Sequence, residues 1–178
     1  MGPERIMLRD FVIDDWKAVH EVTSRSEVSQ YQPWSPNTPE ETRAYVQASL
    51  QAARQFPRVD YAFAASLASS DRIIGYGSLW LRSKDCGVGE IGYFLHPDWW
   101  GQGFGTEIST ALLGFGFQKL HLHRLLATCD PRNTASKRVL EKIGMVYEER
   151  LHNTMRIRDG WRDSDIYGLS DHEWKALT

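Results

Sequence analysis

The stretch that most restricts this chain is Val88 to Leu120, where a strand-like run, a glycine-rich loop and a helix-like run follow one another without a break. Val88 to Leu95 alternates, with Glu90, Gly92 and Phe94 on one face and Ile91, Tyr93 and Leu95 on the other. From Thr106 to Leu120 the apolar residues form two adjacent stripes, Ile108-Leu112-Phe115 and Leu113-Phe117-Leu120, the pattern of a helix covered on much of its circumference. Between them stands His96-Pro97-Asp98-Trp99-Trp100-Gly101-Gln102-Gly103-Phe104-Gly105. Glycines at such a junction let backbone N–H groups converge on an anion, and the helix N-terminus adds about half a unit of positive charge. Phosphate binding there needs neither a basic protein nor a metal.

A Gly-x-Gly-x-Gly pattern is shared with dinucleotide-binding folds, so its surroundings decide. Those folds place it after the first strand of a parallel unit, with an acidic residue about 20 positions on. Here the preceding segments read as an antiparallel meander: Tyr61, Phe63, Ala65 and Leu67 alternate, Ser69 to Arg72 turns, and a second run extends from Ile73 to Leu81. The Gly-Lys-Ser or Gly-Lys-Thr of a P-loop is absent.

Elsewhere, Ile6-Met7-Leu8-Arg9 reads as a strand, and Asp14 or Asp15 is placed to cap a helix carrying Trp16, Val19 and Val22. Gln30 to Pro36 is an aromatic loop, and Thr38-Pro39-Glu40-Glu41 carries a capping box that opens a helix ending before Pro57. Arg124 to Cys129 reads as a strand, Asn133 to Ile143 as a helix ended by Gly144, and Met145 to Leu169 as a hairpin turning at Asp159-Gly160. With 178 residues and no linker, a single domain, 1–178, is expected.

The net charge of -2 gives no reason to expect nucleic acid or an anionic membrane as partner. Cys86 and Cys129 are too few for a disulfide framework, the chain opens without a signal segment, and no run approaches the roughly 18 apolar residues of a membrane span. A soluble, cytoplasmic protein is expected. His121 and His123 stand without a Cys or carboxylate cluster, so a helix-to-strand corner and no metal are expected. Cys129 lacks a motif-placed histidine to activate it as a nucleophile.

Three linked stretches, Glu90-Ile91-Gly92-Tyr93-Phe94-Leu95, Trp99 to Thr106, and Asn133 to Met145, resemble the GNAT acetyltransferase superfamily, and within it the RimJ/RimL type. The resemblance covers nearly the whole chain. It implies an α/β (α+β) fold: a mixed, mostly antiparallel central sheet, splayed between its fourth and fifth strands and flanked by helices. It also implies acetyl-CoA as cosubstrate, held by Trp100, Gly101, Gln102, Gly103, Phe104, Gly105 and Thr106, by backbone groups near Phe94 and Leu95, and by Asn133 and Ser136. Many members carry Arg or Gln where this chain has Trp100, so no side-chain contribution to pyrophosphate binding is assigned there.

An acceptor amine, with an ammonium pKa of about 8 or above 10, must lose a proton, and Glu90 is the candidate base. Its alternative is a solvated strand residue or a pair with a neighbouring Arg. No Tyr lies between Asn133 and Gly144, so Ser136 resembles the acid or thiol partner of the RimL branch; equally, it fits a serine of a first helical turn. Asn133 fits both a pantetheine contact and a helix cap. Tyr31 and Trp34 occupy the stretch that walls the acceptor site in relatives, or else pack the helices together. The charges of Arg156, Arg158, Asp159 and Arg162 border that mouth or are solvated. The function implied is acetyl transfer to a primary amine, on a protein N-terminus or a small molecule, by direct attack in a ternary complex. The alternative is a catalytically silent acyl-CoA binding module; monomer and homodimer are both open.

Overall fold

The computed structural model describes residues 5–83 and 87–177, so Cys86 lies outside the described residues. The strands are β1 (Ile6–Asp10), β2 (Asp60–Leu67), β3 (Ile73–Ser83), β4 (Val88–Leu95), β5 (Arg124–Cys129), β6 (Val146–Ile157) and β7 (Gly160–Ser170). They form one sheet in the order β1-β2-β3-β4-β5-β7-β6. Every neighbouring pair is antiparallel except β4 and β5, which run parallel. The helices are α1 (Trp16–Thr23), α2 (Ser26–Ser29), α3 (Pro39–Ala53), α4 (Phe104–Gly114), α5 (Thr134–Lys142) and α6 (Asp171–Leu177).

Strand alternation divides the core between two faces. Phe63 and Ala65 of β2, Leu79 of β3 and Ile91 of β4 join Ile108, Leu112 and Leu113 of α4 in one cluster. Ala62 and Ala64 of β2 and Tyr76 of β3 point the other way, against Val19 and Val22 of α1 and Val46 of α3. Each fully buried Val or Leu in these layers stabilises by roughly 1.5–3 kcal/mol.

Local chemistry sets the helix starts. Thr38 Oγ1 accepts from the Glu41 N–H at 3.2 Å and Glu41 Oε2 accepts from the Thr38 N–H at 2.8 Å, so the first turn of α3 is closed as its sequence predicts. Asp15 does not cap α1. Its buried carboxylate accepts from Arg9 at 2.7 and 3.0 Å and from the Val12 N–H at 2.8 Å, since a nearby guanidinium outcompetes the helix amides. The helix after the glycine loop starts at Phe104, ahead of the expected Thr106, and its last part widens into a π-helical turn, Phe115–Lys119.

The register of β4 on β5 covers only Val88↔Arg124, Gly89↔Leu125 and Glu90↔Leu126. Past Glu90 the two strands diverge, while β5 stays paired with β7 as far as Cys129↔Asp165. At the end of β4, beyond the divergence, the Trp100 indole N–H donates to the Leu95 carbonyl at 2.8 Å.

Candidate active site

The divergence opens a cleft of about 580 Å³, walled by the end of β4, the glycine loop, the first turn of α4 and the start of α5. Gly101 (φ 73°) and Gly103 (φ 89°) both lie in the left-handed region, which lets the loop fold back and deliver the chain into α4. Gly103 is the N-cap of α4, and among the described residues no side chain accepts from the first amides of that helix. Those N–H groups, with the positive end of the helix, are left for a ligand. Gly105 is needed for a different reason: a Cβ there would stand 2.9 Å from Cε2 of Tyr93, so only glycine lets α4 lie this close to β4.

The loop's side chains divide between lining and bracing. Gln102 turns away from the cleft and donates to the Asp98 carbonyl at 2.8 Å, while its own carbonyl accepts from Arg5 at 2.9 Å. Arg5 in turn lies 4.3 Å over the Phe104 ring and pairs with Glu107. Gln102 therefore holds the loop's shape, and the cleft is lined instead by Trp100, Gly101, Gly103, Phe104, Gly105 and Thr106.

Strand register decides which β4 amides face the gap. The His96 N–H donates to Ile74 O at 2.9 Å, and a Cβ built on Gly75 would meet the Phe94 carbonyl at 2.2 Å. Alternation along an antiparallel ladder then turns the Phe94 backbone toward β3 and the Tyr93 and Leu95 backbones toward the gap. Of the two amides that the sequence points to, Leu95 opens on the cleft; Phe94 contributes its side chain.

Asn133 Oδ1 accepts from the Ser136 N–H at 3.0 Å, so it caps α5 while also lining the cleft. Tyr93 and Ser136 line the cleft from facing elements, and burial pushes the Tyr93 phenol up while Ser136 pulls it down. Burial pushes the Cys129 thiol up to about 11, so at neutral pH it holds its proton and is no nucleophile.

Glu90 is 3% exposed. Its Oε2 accepts from Arg82 Nε at 2.6 Å and its Oε1 from Thr128 Oγ1 at 2.9 Å, a cross-strand ion pair closed by a hydroxyl from β5. It lines neither this cleft nor the second cavity, beside Trp34. It shares a strand face with Gly92 and Phe94, and a Cβ at Gly92 would meet Ser78 Oγ at 3.5 Å and the Trp80 ring at 3.7 Å.

Tyr31 and Trp34 go to different places. Tyr31 lines the cleft beneath the Arg132 guanidinium, 5.5 Å from its ring centroid. Its carbonyl accepts from Arg162, which also donates to Ser164 Oγ at 3.0 Å. Arg162, 4% exposed, therefore ties the aromatic loop to β7 and is not a solvated charge, and burial lowers its pKa. Trp34 lines a second cavity of about 400 Å³ with Thr23, Asn37, Tyr45, Tyr76 and Ser78, and Phe94 lines both cavities.

Sequence reading missed Tyr93, Glu27, Arg132, Arg138 and Lys142, all of which line the cleft. Arg138 and Lys142 carried a signal, since helical spacing sets them on one side of α5. Glu27 stays ionised, its carboxylate held below the usual range by its own backbone N–H and the Ser26 hydroxyl. Among the described residues no group of three or more His, Cys, Asp or Glu gathers as a metal site, and no helix is long and apolar enough to cross a membrane.

Comparison with known proteins bears directly on this cleft. The family profile described as an acetyltransferase (GNAT) domain matches residues 5–146. An uncharacterized N-acetyltransferase of Bacillus subtilis, YnaD, is 33% identical over 172 residues, 96% of each chain. The crystal structure of a GNAT-family acetyltransferase from Bacillus anthracis superposes with a TM-score of 0.83 at 32% identity, covering 95% of this chain and 96% of that one. A spermidine N-acetyltransferase from Vibrio cholerae, solved with CoA and spermine, has a TM-score of 0.83 at 17% identity over 96% of this chain and 98% of its own, a likeness of fold.

Proposed function

The chain belongs to the GNAT acetyltransferase family, and on that premise we propose that it transfers an acetyl group from acetyl-CoA to a primary amine by direct attack in a ternary complex. The observation that carries this reading is a coincidence of place. The gap between β4 and β5 and the uncapped N-terminus of α4 open on the same cleft, so one elongated ligand can meet both.

The residues present fit that cosubstrate. Amides of Gly103 to Thr106 would hold its pyrophosphate, with Arg132, Arg138 and Lys142 adding charge for its phosphates. The backbone edge of Tyr93 and Leu95 would pair with its pantetheine arm. Acetyl-CoA supplies the activated thioester. Leu95 offers an N–H toward the place where negative charge develops, a contribution of about 3 kcal/mol for a well-aimed donor. The Tyr93 and Ser136 hydroxyls both line the cleft, and either would give a proton to a thiolate whose conjugate acid has a pKa of about 8.5. Glu90, hydrogen-bonded by Arg82 and Thr128, is the candidate base that takes the ammonium proton through water.

Calorimetric titration with CoA, paired with a thiol-release assay using acetyl-CoA and a panel of amines and short peptides, tests this. The expected result is 1:1 binding, with release that depends on an added amine. CoA that fails to bind, or binds without any amine-dependent release, would overturn it.

A further inference from the structure

We propose that the second cavity seats the body of the acceptor, and that the acceptor is a monoamine with an uncharged, aromatic or apolar body. This rests on the transferase reading above and adds the substrate class. Among the described residues that line the cavity none is charged: Thr23, Trp34, Asn37, Tyr45, Tyr76, Ser78 and Phe94. Its walls are a run of rings. Trp34 and Phe94 lie 5.6 Å apart, Phe94 and Tyr76 are stacked at 4.9 Å, and Tyr76 meets Tyr45 at 5.6 Å. Burial pushes the Tyr45 phenol up to about 12 and raises Tyr76 as well, so both hydroxyls stay neutral at any physiological pH. Asp60 reaches Tyr45 electrostatically from outside the lining, and its own pKa is raised by burial.

The position of this cavity joins it to the chemistry. Phe94 is shared with the cofactor cleft. Along the same strand face, beyond Gly92 and its partner Ser78, lies Glu90 opposite Trp80. A ligand whose ring occupies the aromatic end therefore directs a single amine along the strip toward Glu90 and the gap beside Leu95. Because Arg82 already balances Glu90, the strip as a whole is nearly neutral. It favours an amine that can shed its proton, and it offers no counter-charge to a second or third ammonium. A polyamine would bury such groups unpaired, which proteins avoid. Flat rings at these spacings suit an aromatic body, stacked or edge-on, as aromatic pairs prefer. The volume, about 400 Å³, suits a small molecule.

The test uses the full chain saturated with CoA, titrated calorimetrically with 2-phenylethylamine, spermidine and trialanine, alongside thiol release from acetyl-CoA with the same three amines. 2-Phenylethylamine is expected to bind, and to be turned over by kcat/KM, at least about tenfold better than either competitor. Ser78→Asp, which adds a carboxylate to the cavity, should narrow or reverse the margin over spermidine, and Trp34→Ala should weaken 2-phenylethylamine by about tenfold. Equal or tighter binding of spermidine or trialanine, or binding of none of the three, overturns the proposal. Thiol release that favours spermidine would leave the transferase reading intact while sinking this one. The expected binding order without any release would instead uphold the cavity's chemistry and count against the transferase reading.

Discussion

The two cavities that share Phe94 are built by opposite means. The cleft between β4 and α5 is framed by backbone amides and cations: an α4 N-terminus that no described side chain closes, the Leu95 edge, and Arg132, Arg138 and Lys142. The second cavity is lined by rings, hydroxyls and the Asn37 carboxamide, with no charged side chain among the described residues. On the proposed reading, the difference teaches where specificity resides: a helix end left open, unlike α3 with its closed capping box, would hold a phosphate group common to many reactions, and side chains drawn from several separate elements would hold the acceptor.

The comparison breaks most sharply at Glu90, which lines neither cavity and is proposed as the base for the chemistry between them. Glu90→Gln should lower kcat by about 100-fold or more, as loss of a general base does, while the calorimetric affinity for CoA holds. An unchanged kcat would make Glu90 only the partner of Arg82. Next in size is Gly105→Val. By driving a side chain into Tyr93 at the helix start it should weaken CoA binding by about 30-fold, or about 2 kcal/mol, and leave phenylethylamine binding to the second cavity within a few-fold. Parallel losses at both cavities would mean the fold itself had moved, which circular dichroism would show.

The ground beneath the cleft titrates too. The folded chain keeps the Cys129 proton up to about 11, whereas an unfolded thiol gives it up near 8.5, so unfolding releases a proton between those values. The contribution is fully present below the lower value and is lost as pH rises through the window. Urea midpoints should therefore fall from pH 8.5 to pH 10.5, on the order of 2 kcal/mol, and Cys129→Ala should flatten that slope. Smallest is Thr38→Ala at the closed helix end. It should cost about 1 kcal/mol of stability, a Tm drop of about 2–4 °C, with CoA affinity untouched.

Whatever local pattern encodes was legible in the sequence. The alternation of β4, the glycines of the loop, the capping box at Thr38 and the Asn133 cap are each fixed by residues a few positions apart, and the structure has them where the pattern put them. Asp15 fell to a competitor, Arg9, which sits on a different element. The pairing of Glu90 depends on register, since Arg82 lies diagonally across β3 and Thr128 on a strand more than thirty residues on, at a separation of 38. The same register chose Leu95 over Phe94 for the gap, although alternation alone had separated the two. The outward turn of the Gln102 side chain was not legible, because a glycine loop's side chain finds its partner only once the loop has folded. The helices α2 and α6, four and seven residues long, are too short to show a period. The aromatic cavity was invisible because its four rings, Trp34, Phe94, Tyr76 and Tyr45, come from four separate stretches of the chain.

The most direct test of the central claim is an amide NMR titration of the uniformly labelled protein with CoA. The expected result is that the largest shifts fall on the amides of Leu95 and of Gly101 through Thr106, while those of Thr38 through Glu41 at the capped helix stay still. Saturable binding that leaves Leu95 and the glycine loop unmoved, with the shifts elsewhere, would contradict the assignment of this cleft to the cosubstrate.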